Sequence, residues 1–297
     1  MTKSAIATWA VLILVVITMV VLWVDRPRKI VIDAALPAGF PEQGFSHEHF
    51  EELLQIYVTP EGRVDYDSWQ LFPASVAHLD SYLAAISRYS PDSSPERFPS
   101  RNDALAYWMY SYNAYVIRSV IDHWPITSVT DIRAPIEAVK GLGFFHQLRF
   151  SFGGEYLSLL HVENRKIRAE FKDARIHFFL NCASESCPVA RPELPPADEL
   201  DQLLASATTD FINDPANVFV DHDQRTVYLS RIFKWYEDDF VNDLRARGKP
   251  VGNGLLTYIA QHSLDELAND VAKAGEYKIE FRDYDWGLNS SDQGTGF

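Results

Sequence analysis

The apolar positions of this chain fall into runs of different period, and the longest run has no polar face. Over residues 102–121, Ala104, Leu105, Tyr107, Trp108, Tyr112, Ala114, Val116, Ile117, Val120 and Ile121 cover nearly the whole circumference of a helix, which predicts a helix buried at the centre of a domain. Before it, Phe50, Leu53, Leu54 and Tyr57 share one face of a helix that Ser46 can N-cap, and Val76, Leu79, Tyr82, Leu83 and Ile86 mark a second helix over residues 73–89. After it, Phe150 and Phe152, then Gly153-Gly154, then Leu157 and Leu159 predict a hairpin, because adjacent glycines supply the positive φ of a tight turn. Ser158 can cap a helix that runs to about Glu170, and Leu200, Leu203, Leu204, Ala207 and Phe211 mark another. A second hairpin is expected over residues 218–229, helices from Ser230 and over residues 255–268, and a last strand where Tyr277, Ile279 and Phe281 alternate. Helices followed by hairpins predict an α+β fold, mainly helical, with an antiparallel sheet of hairpins.

One stretch changes character abruptly. Ile176, Phe178, Phe179 and Leu180 form a short apolar run of the kind expected for a buried strand. Residues 181–186 are small and polar, and Pro188 forbids a long helix across Cys187. The run therefore delivers Cys182 to a polar turn.

The N-terminus suggests how the chain is placed. Residues 5–24 are uncharged, long enough as a helix to cross a bilayer core, and end in Trp23-Val24 before Asp25 rather than at a small-residue cleavage site. This predicts a single transmembrane helix and a membrane partner. Arg26, Arg28 and Lys29 follow the span while only Lys3 precedes it, which by charge alone would keep the domain in the cytoplasm. A signal anchor would instead export it, and the expectation is a single-pass inner or plasma membrane protein with a periplasmic domain. The predicted organisation is an anchor over residues 1–29, a Pro- and Gly-containing tether over 30–45, a globular domain over 46–289 with its core at about 102–240, and a disordered tail over 290–297. The Pro- and Ser-rich residues 90–101 are the expected internal boundary.

Composition adds two limits. With 297 residues and 47% hydrophobic content the chain can build a real core without a disulfide scaffold. A net charge of -14 and no basic stripe exclude nucleic acid as a partner held by phosphate neutralisation.

Several separated motifs, in one order, are similar to those of a known family. AYWMYSYNAYVIRSVIDHWPITSVTDI (106–132), GGEYLSL (153–159), RIHFFLNCASESCP (175–188), LSRIFKWYEDDF (229–240) and YDWGLN (284–289) resemble the DUF547 family of uncharacterised proteins. The resemblance implies an exported or membrane-anchored protein and a papain- or transglutaminase-like core. The family pattern has histidine after the glutamate where this chain has Glu163-Asn164, and asparagine where it has Ser111. A catalytic histidine at that place would have to be replaced here by His161.

The candidate chemistry centres on Cys182. As a nucleophile it would make the protein a cysteine-dependent hydrolase or acyl transferase acting on an amide or thioester, with His161 or His177 as base and Glu163 orienting the imidazole. His177 could serve only if the chain folds back near Asn181, since a straight strand would hold it roughly 16 Å away. A Cys182–Cys187 disulfide would instead suit a non-catalytic binding or scaffold module. Asn113, Asn181, Ser184, Lys234, Trp235 and Tyr236 are the candidate binding residues for an unidentified small-molecule, peptide or protein partner, although Asn113 can equally be an internal clamp and the aromatic pair can be core. A zinc site built on both cysteines has unfavourable spacing, so no metal and no cofactor are expected.

Overall fold

The computed structural model describes residues 26–134 and 140–291. The chain opens with β1 (Arg28–Lys29), then α1 (Glu48–Tyr57), α2 (Tyr66–Leu71), α3 (Pro73–Arg88) and the long α4 (Arg101–His123). Ser100 and Asp103 start α4 with a reciprocal capping box, the Asp103 N–H donating to Ser100 Oγ at 3.1 Å and the Ser100 N–H to Asp103 Oδ2 at 2.9 Å. Every side chain from Leu105 to Tyr112 is buried, as the missing polar face requires.

A hairpin of β2 (Leu148–Phe152) and β3 (Glu155–Leu157) follows, turning at Gly153 and Gly154 with φ of 57° and 89°. The tip docks on the end of α3, where the Gly153 and Gly154 N–H groups donate to Ile86 O and Ser87 O at 2.9 and 2.8 Å. Those carbonyls are helix-end acceptors with no partner inside the helix. A Cβ on Gly153 would collide with the hydroxyls of Ser90 and Ser93. Residues 159–171 form α5, α-helical at Leu159–His161 and Ala169–Phe171 and π-helical over Val162–Arg168 between them. Then come α6 (Leu200–Asn213), β4 (Val218–Asp221), β5 (Thr226–Leu229), α7 (Arg231–Trp235), α8 (Glu237–Ala246), α9 (Leu255–His262), α10 (Asp265–Lys273) and β6 (Lys278–Phe281).

Several expectations need correction. The two three-stranded sheets are mixed rather than antiparallel: β1 runs parallel to β2, and β6 parallel to β5. β6 reaches β5 only after four helices, a crossover long enough to return the chain in the same direction. Of the apolar run expected as a buried strand, Ile176 and Phe178 lie in a 3-10 helix, Ala174–Phe178, capped by Asp173 Oδ1 accepting the Arg175 N–H at 3.0 Å, and Phe179 and Leu180 follow it. The helix expected from Ser230 breaks at Tyr236, and that over 255–268 breaks at Ser263. His47 rather than Ser46 occupies the N-cap position of α1, although Ser46 Oγ accepts the Glu48 N–H at 3.3 Å. The expected tether packs: Phe45 meets Phe98 and Tyr107 at ring separations of 5.6 and 5.2 Å. At the other end Asn289 and Ser290 are buried, so order continues past the expected start of the tail.

The single-pass architecture is likewise withdrawn, together with the membrane partner and the periplasmic placement built on it. Among the described residues no helix is long and apolar enough to cross a membrane. The span expected at residues 5–24 lies outside the described residues.

Two apolar cores pack side by side. The larger surrounds α4 and includes Phe50, Tyr82, Trp108 and Phe150; the smaller gathers Phe211, Phe233, Phe240 and Tyr258. Phe178 belongs to the smaller core and its neighbour Phe179 to the larger. The segment that carries the cysteines is therefore the seam between them.

Candidate functional site

From the seam the chain enters a turn that is pinned from every side. Asn181 is buried, and its Oδ1 accepts the Ala183 N–H at 2.7 Å while its Nδ2 donates to Pro188 O at 2.7 Å. Ala183 takes φ 60°, a left-handed conformation that costs a non-glycine residue energy unless its surroundings hold it. They do: the Asn289 N–H donates to Ala183 O at 3.1 Å and the Glu185 N–H to Gly287 O at 2.8 Å, so the C-terminal segment lies along the turn. Arg63 closes the outside with two 2.7 Å bonds to the Glu185 carboxylate and one of 2.9 Å to Ser290 O. Such bidentate pairs fix geometry as well as adding energy.

This turn brings Cys182 and Cys187 together as a disulfide with Cα atoms 6.1 Å apart. That overturns the expectation of a simple Cys182 nucleophile, since a bridged sulfur has no thiolate with which to attack. While bridged, Cys182 cannot serve as the nucleophile of the expected hydrolase or acyl transferase. Around the bridge the Tyr284 hydroxyl sits 3.0 Å from Cys182 Sγ and 3.1 Å from Cys187 Sγ, and Ser184 Oγ lies 3.0 Å from Cys182 Sγ. Burial raises the Tyr284 hydroxyl above its ordinary pKa, so it remains a neutral hydroxyl.

Cys182 and Cys187 line part of a cleft of about 340 Å³ where the two cores meet. Tyr112 of α4, Leu160 and Glu163 of α5, His177 and Leu180 of the seam, and Trp235 and Tyr236 at the end of α7 line it with Tyr284 and Trp286. Trp235, Tyr284 and Trp286 form an aromatic cluster, with ring separations of 4.7, 6.0 and 4.6 Å. Trp235 is 46% exposed, which leaves aromatic surface open for contact.

Polar groups are concentrated at one end. Tyr236 donates its hydroxyl to Glu163 Oε1 at 2.6 Å, and its ring stacks on His177 at 3.7 Å. His177 is buried with Nε2 2.8 Å from Asp239 Oδ2, and Arg168 Nε donates to the same oxygen at 2.7 Å. Burial lowers the His177 pKa against the opposing pull of Asp239, so the imidazole is neutral. Burial alone would raise the Asp239 pKa, but hydrogen bonds from His177 and Arg168 more than offset it and hold the carboxyl at about 2. The ionised carboxylate must accept, so Nε2 carries the histidine proton.

Of the residues expected at a site, Cys182, Glu163, His177, Trp235 and Tyr236 come together in the cleft. His161 is exposed on α5, its N–H donating to Ser158 Oγ at 3.1 Å, and does not line it. Lys234 is exposed, its ammonium 5.5 Å from the Phe281 ring. Asn113 and Asn181 border a separate small void, and Asn113 clamps the seam by accepting the Asn181 N–H at 2.9 Å and donating to Phe179 O at 3.3 Å. Ser184 is buried behind the disulfide. Tyr112, Tyr284 and Trp286 escaped sequence reasoning because aromatic residues in helices and loops read first as core. The family motif around residues 284–289 was the available signal.

A family model described as "Protein of unknown function, DUF547" matches residues 96–212, which run from just before α4 to near the end of α6. No curated protein and no solved structure matches the chain, so the papain- or transglutaminase-like core implied by the resemblance has no structural neighbour behind it. The matched residues supply Tyr112, Glu163, His177 and both cysteines to the cleft, and residues 96–212 of the chain belong to the DUF547 family.

Proposed function

We propose that the cleft binds a small ligand with a flat apolar group and a hydrogen-bond donor. The observation that carries this reading is the convergence of Tyr112, Leu160, Trp235, Trp286 and Glu163, from separate parts of the chain, on one volume of about 340 Å³. Small-molecule sites have this make-up, apolar walls with few polar groups, and favour junctions between packed units. The open face of Trp235 offers stacking surface. Glu163 uses Oε1 for Tyr236, which leaves Oε2 to accept from the ligand. The disulfide acts structurally, holding the turn that carries this wall. The binding role belongs to the globular unit over residues 46–289.

The test uses a neutral fluorescent naphthylamine probe and the full chain. Saturable binding that quenches tryptophan emission is expected. It should weaken at least about tenfold in W235A, by loss of an aromatic stack and its buried area, and in L160W, which fills the cleft from a partly exposed position. Equal probe affinity in wild type, W235A and L160W would sink the proposal.

A further inference from the structure

Far along the chain from the cleft residues, α1 and α3 carry a cluster that the binding reading does not use. His49 and Glu52 sit three residues apart on α1, hence on one face of it, and His78 lies opposite them on α3. One potential ligand atom from each of the three side chains lies within 4.8 Å of the others. The two imidazole rings are 4.4 Å apart between centroids, tilted by 40°, and His78 Nε2 is 3.4 Å from Glu52 Oε2.

The helices are held in this relation independently of the cluster. Phe50 stacks on Tyr82 at 5.3 Å on the core side, and Tyr57 donates its hydroxyl to Ser75 Oγ at 2.8 Å further along. The three side chains therefore meet on a scaffold that other contacts have already fixed, which is what a preorganised site requires.

The cluster is poorly explained as a set of ordinary polar contacts. His78 Nε2 is shielded from solvent and has no hydrogen-bond partner, because its approach to Glu52 lacks hydrogen-bond geometry. Buried polar atoms are normally paired, and one left over calls for an explanation. Burial and the neighbouring His49 both lower the His78 pKa, against a smaller opposing effect of Glu52.

We propose that His49, Glu52 and His78 form a binding site for a divalent transition metal, with zinc as the fitting ion. Two imidazoles and one carboxylate are the donors that zinc accepts, whereas calcium and magnesium take oxygen ligands. Zinc bonds of about 2.0–2.1 Å to nitrogen place tetrahedral ligand atoms roughly 3.3 Å apart. His78 and Glu52 are already near that spacing, and a rotation of the partly exposed His49 closes the remainder. Three protein ligands leave a fourth position for water. The bound ion would clip α1 to α3. The site lies outside the residues matched by the family model and shares no residue with the cleft, so it stands or falls separately from the binding reading.

The test is isothermal titration of zinc chloride into the full, untagged chain after treatment with chelator, followed by cobalt substitution. One tight equivalent is expected, and cobalt should give the visible absorption of a low-coordinate site. E52Q and H78N should each weaken zinc by about tenfold or more, the loss of one ligand interaction being worth at least ~1.4 kcal/mol. Glu52 has a half-exposed side chain, so E52Q tests the site without disturbing the core. Absence of a tight equivalent in the wild type, or undiminished zinc affinity in both variants, would overturn the assignment.

Discussion

The hydroxyl of Tyr236 donates to Glu163 Oε1 at 2.6 Å. Tyr236 lies between α7 and α8, Glu163 in the π-helical part of α5, so this one bond ties the smaller core to the larger across the cleft. Burial raises the Tyr236 pKa well above the ordinary phenol value, which keeps the proton in place to donate.

Removing that hydroxyl separates its two roles. Y236F is expected to lower stability by about 1.5–3 kcal/mol, the range for a hydrogen bond to a charged group. Its ring would still stack on His177, so probe affinity should change less than about twofold, a shift well under ~1 kcal/mol. Urea denaturation and probe titration of the same sample check both figures.

Asn113 is expected to matter for folding. N113A would leave the buried Asn181 N–H without its acceptor and Phe179 O without its donor. Stranding such groups costs about 1–3 kcal/mol. The urea midpoint should fall accordingly, while zinc uptake at α1 and α3 stays at the wild-type level.

Where the sequence was legible, one physical signal dominated. The all-round apolar pattern of α4, the Gly153-Gly154 turn and the face of α3 each follow from local rules that packing did not contradict. The segment from Ile176 to Leu180 was not legible in this way, because a short apolar run fits a strand or a tight helix equally well. What decided it was tertiary: Phe178 and Phe179 had to serve two different cores. The pairing of β6 was hidden for a similar reason, since a strand's alternation does not say which neighbour lies four helices back. At the site, residue chemistry singled out Cys182, His177 and Glu163, yet only geometry could show that the turn joins Cys182 to Cys187 and that Asp239 takes the His177 proton donor.

The disulfide closes a short loop, so its contribution is bounded. Chain-entropy reasoning for a loop of this length gives about 2 kcal/mol. C182S/C187S should therefore remain folded, held by the bonds of Asn181 and Arg63, with an unfolding free energy from urea denaturation lower by about that amount. Thiol titration under denaturing conditions should find no free thiol before reduction and both cysteines after it.

Acid should destabilise the protein in two stages, and the sign follows from which state binds more protons. Burial holds His47 down to about 3 and His262 to about 4, and lowers His177 as well. His47 and His262 take up protons in the unfolded chain near the ordinary value of about 6.5 but not in the folded one above about pH 4. Between about pH 6.5 and 4 the unfolded state therefore binds more protons and stability falls as pH falls, each such histidine contributing up to about 1.4 kcal/mol per pH unit. Asp239, held at about 2, adds a second loss as pH drops from about 4 towards 2. His47 Nδ1 lies 2.7 Å from the Tyr82 hydroxyl, so H47Q keeps a polar partner for Tyr82 while removing a titrating group. In urea titrations at successive pH values H47Q should show a slope between about pH 6.5 and 4 that is shallower by close to one proton. An unchanged slope would mean that His47 takes up its proton equally in the folded and unfolded chains.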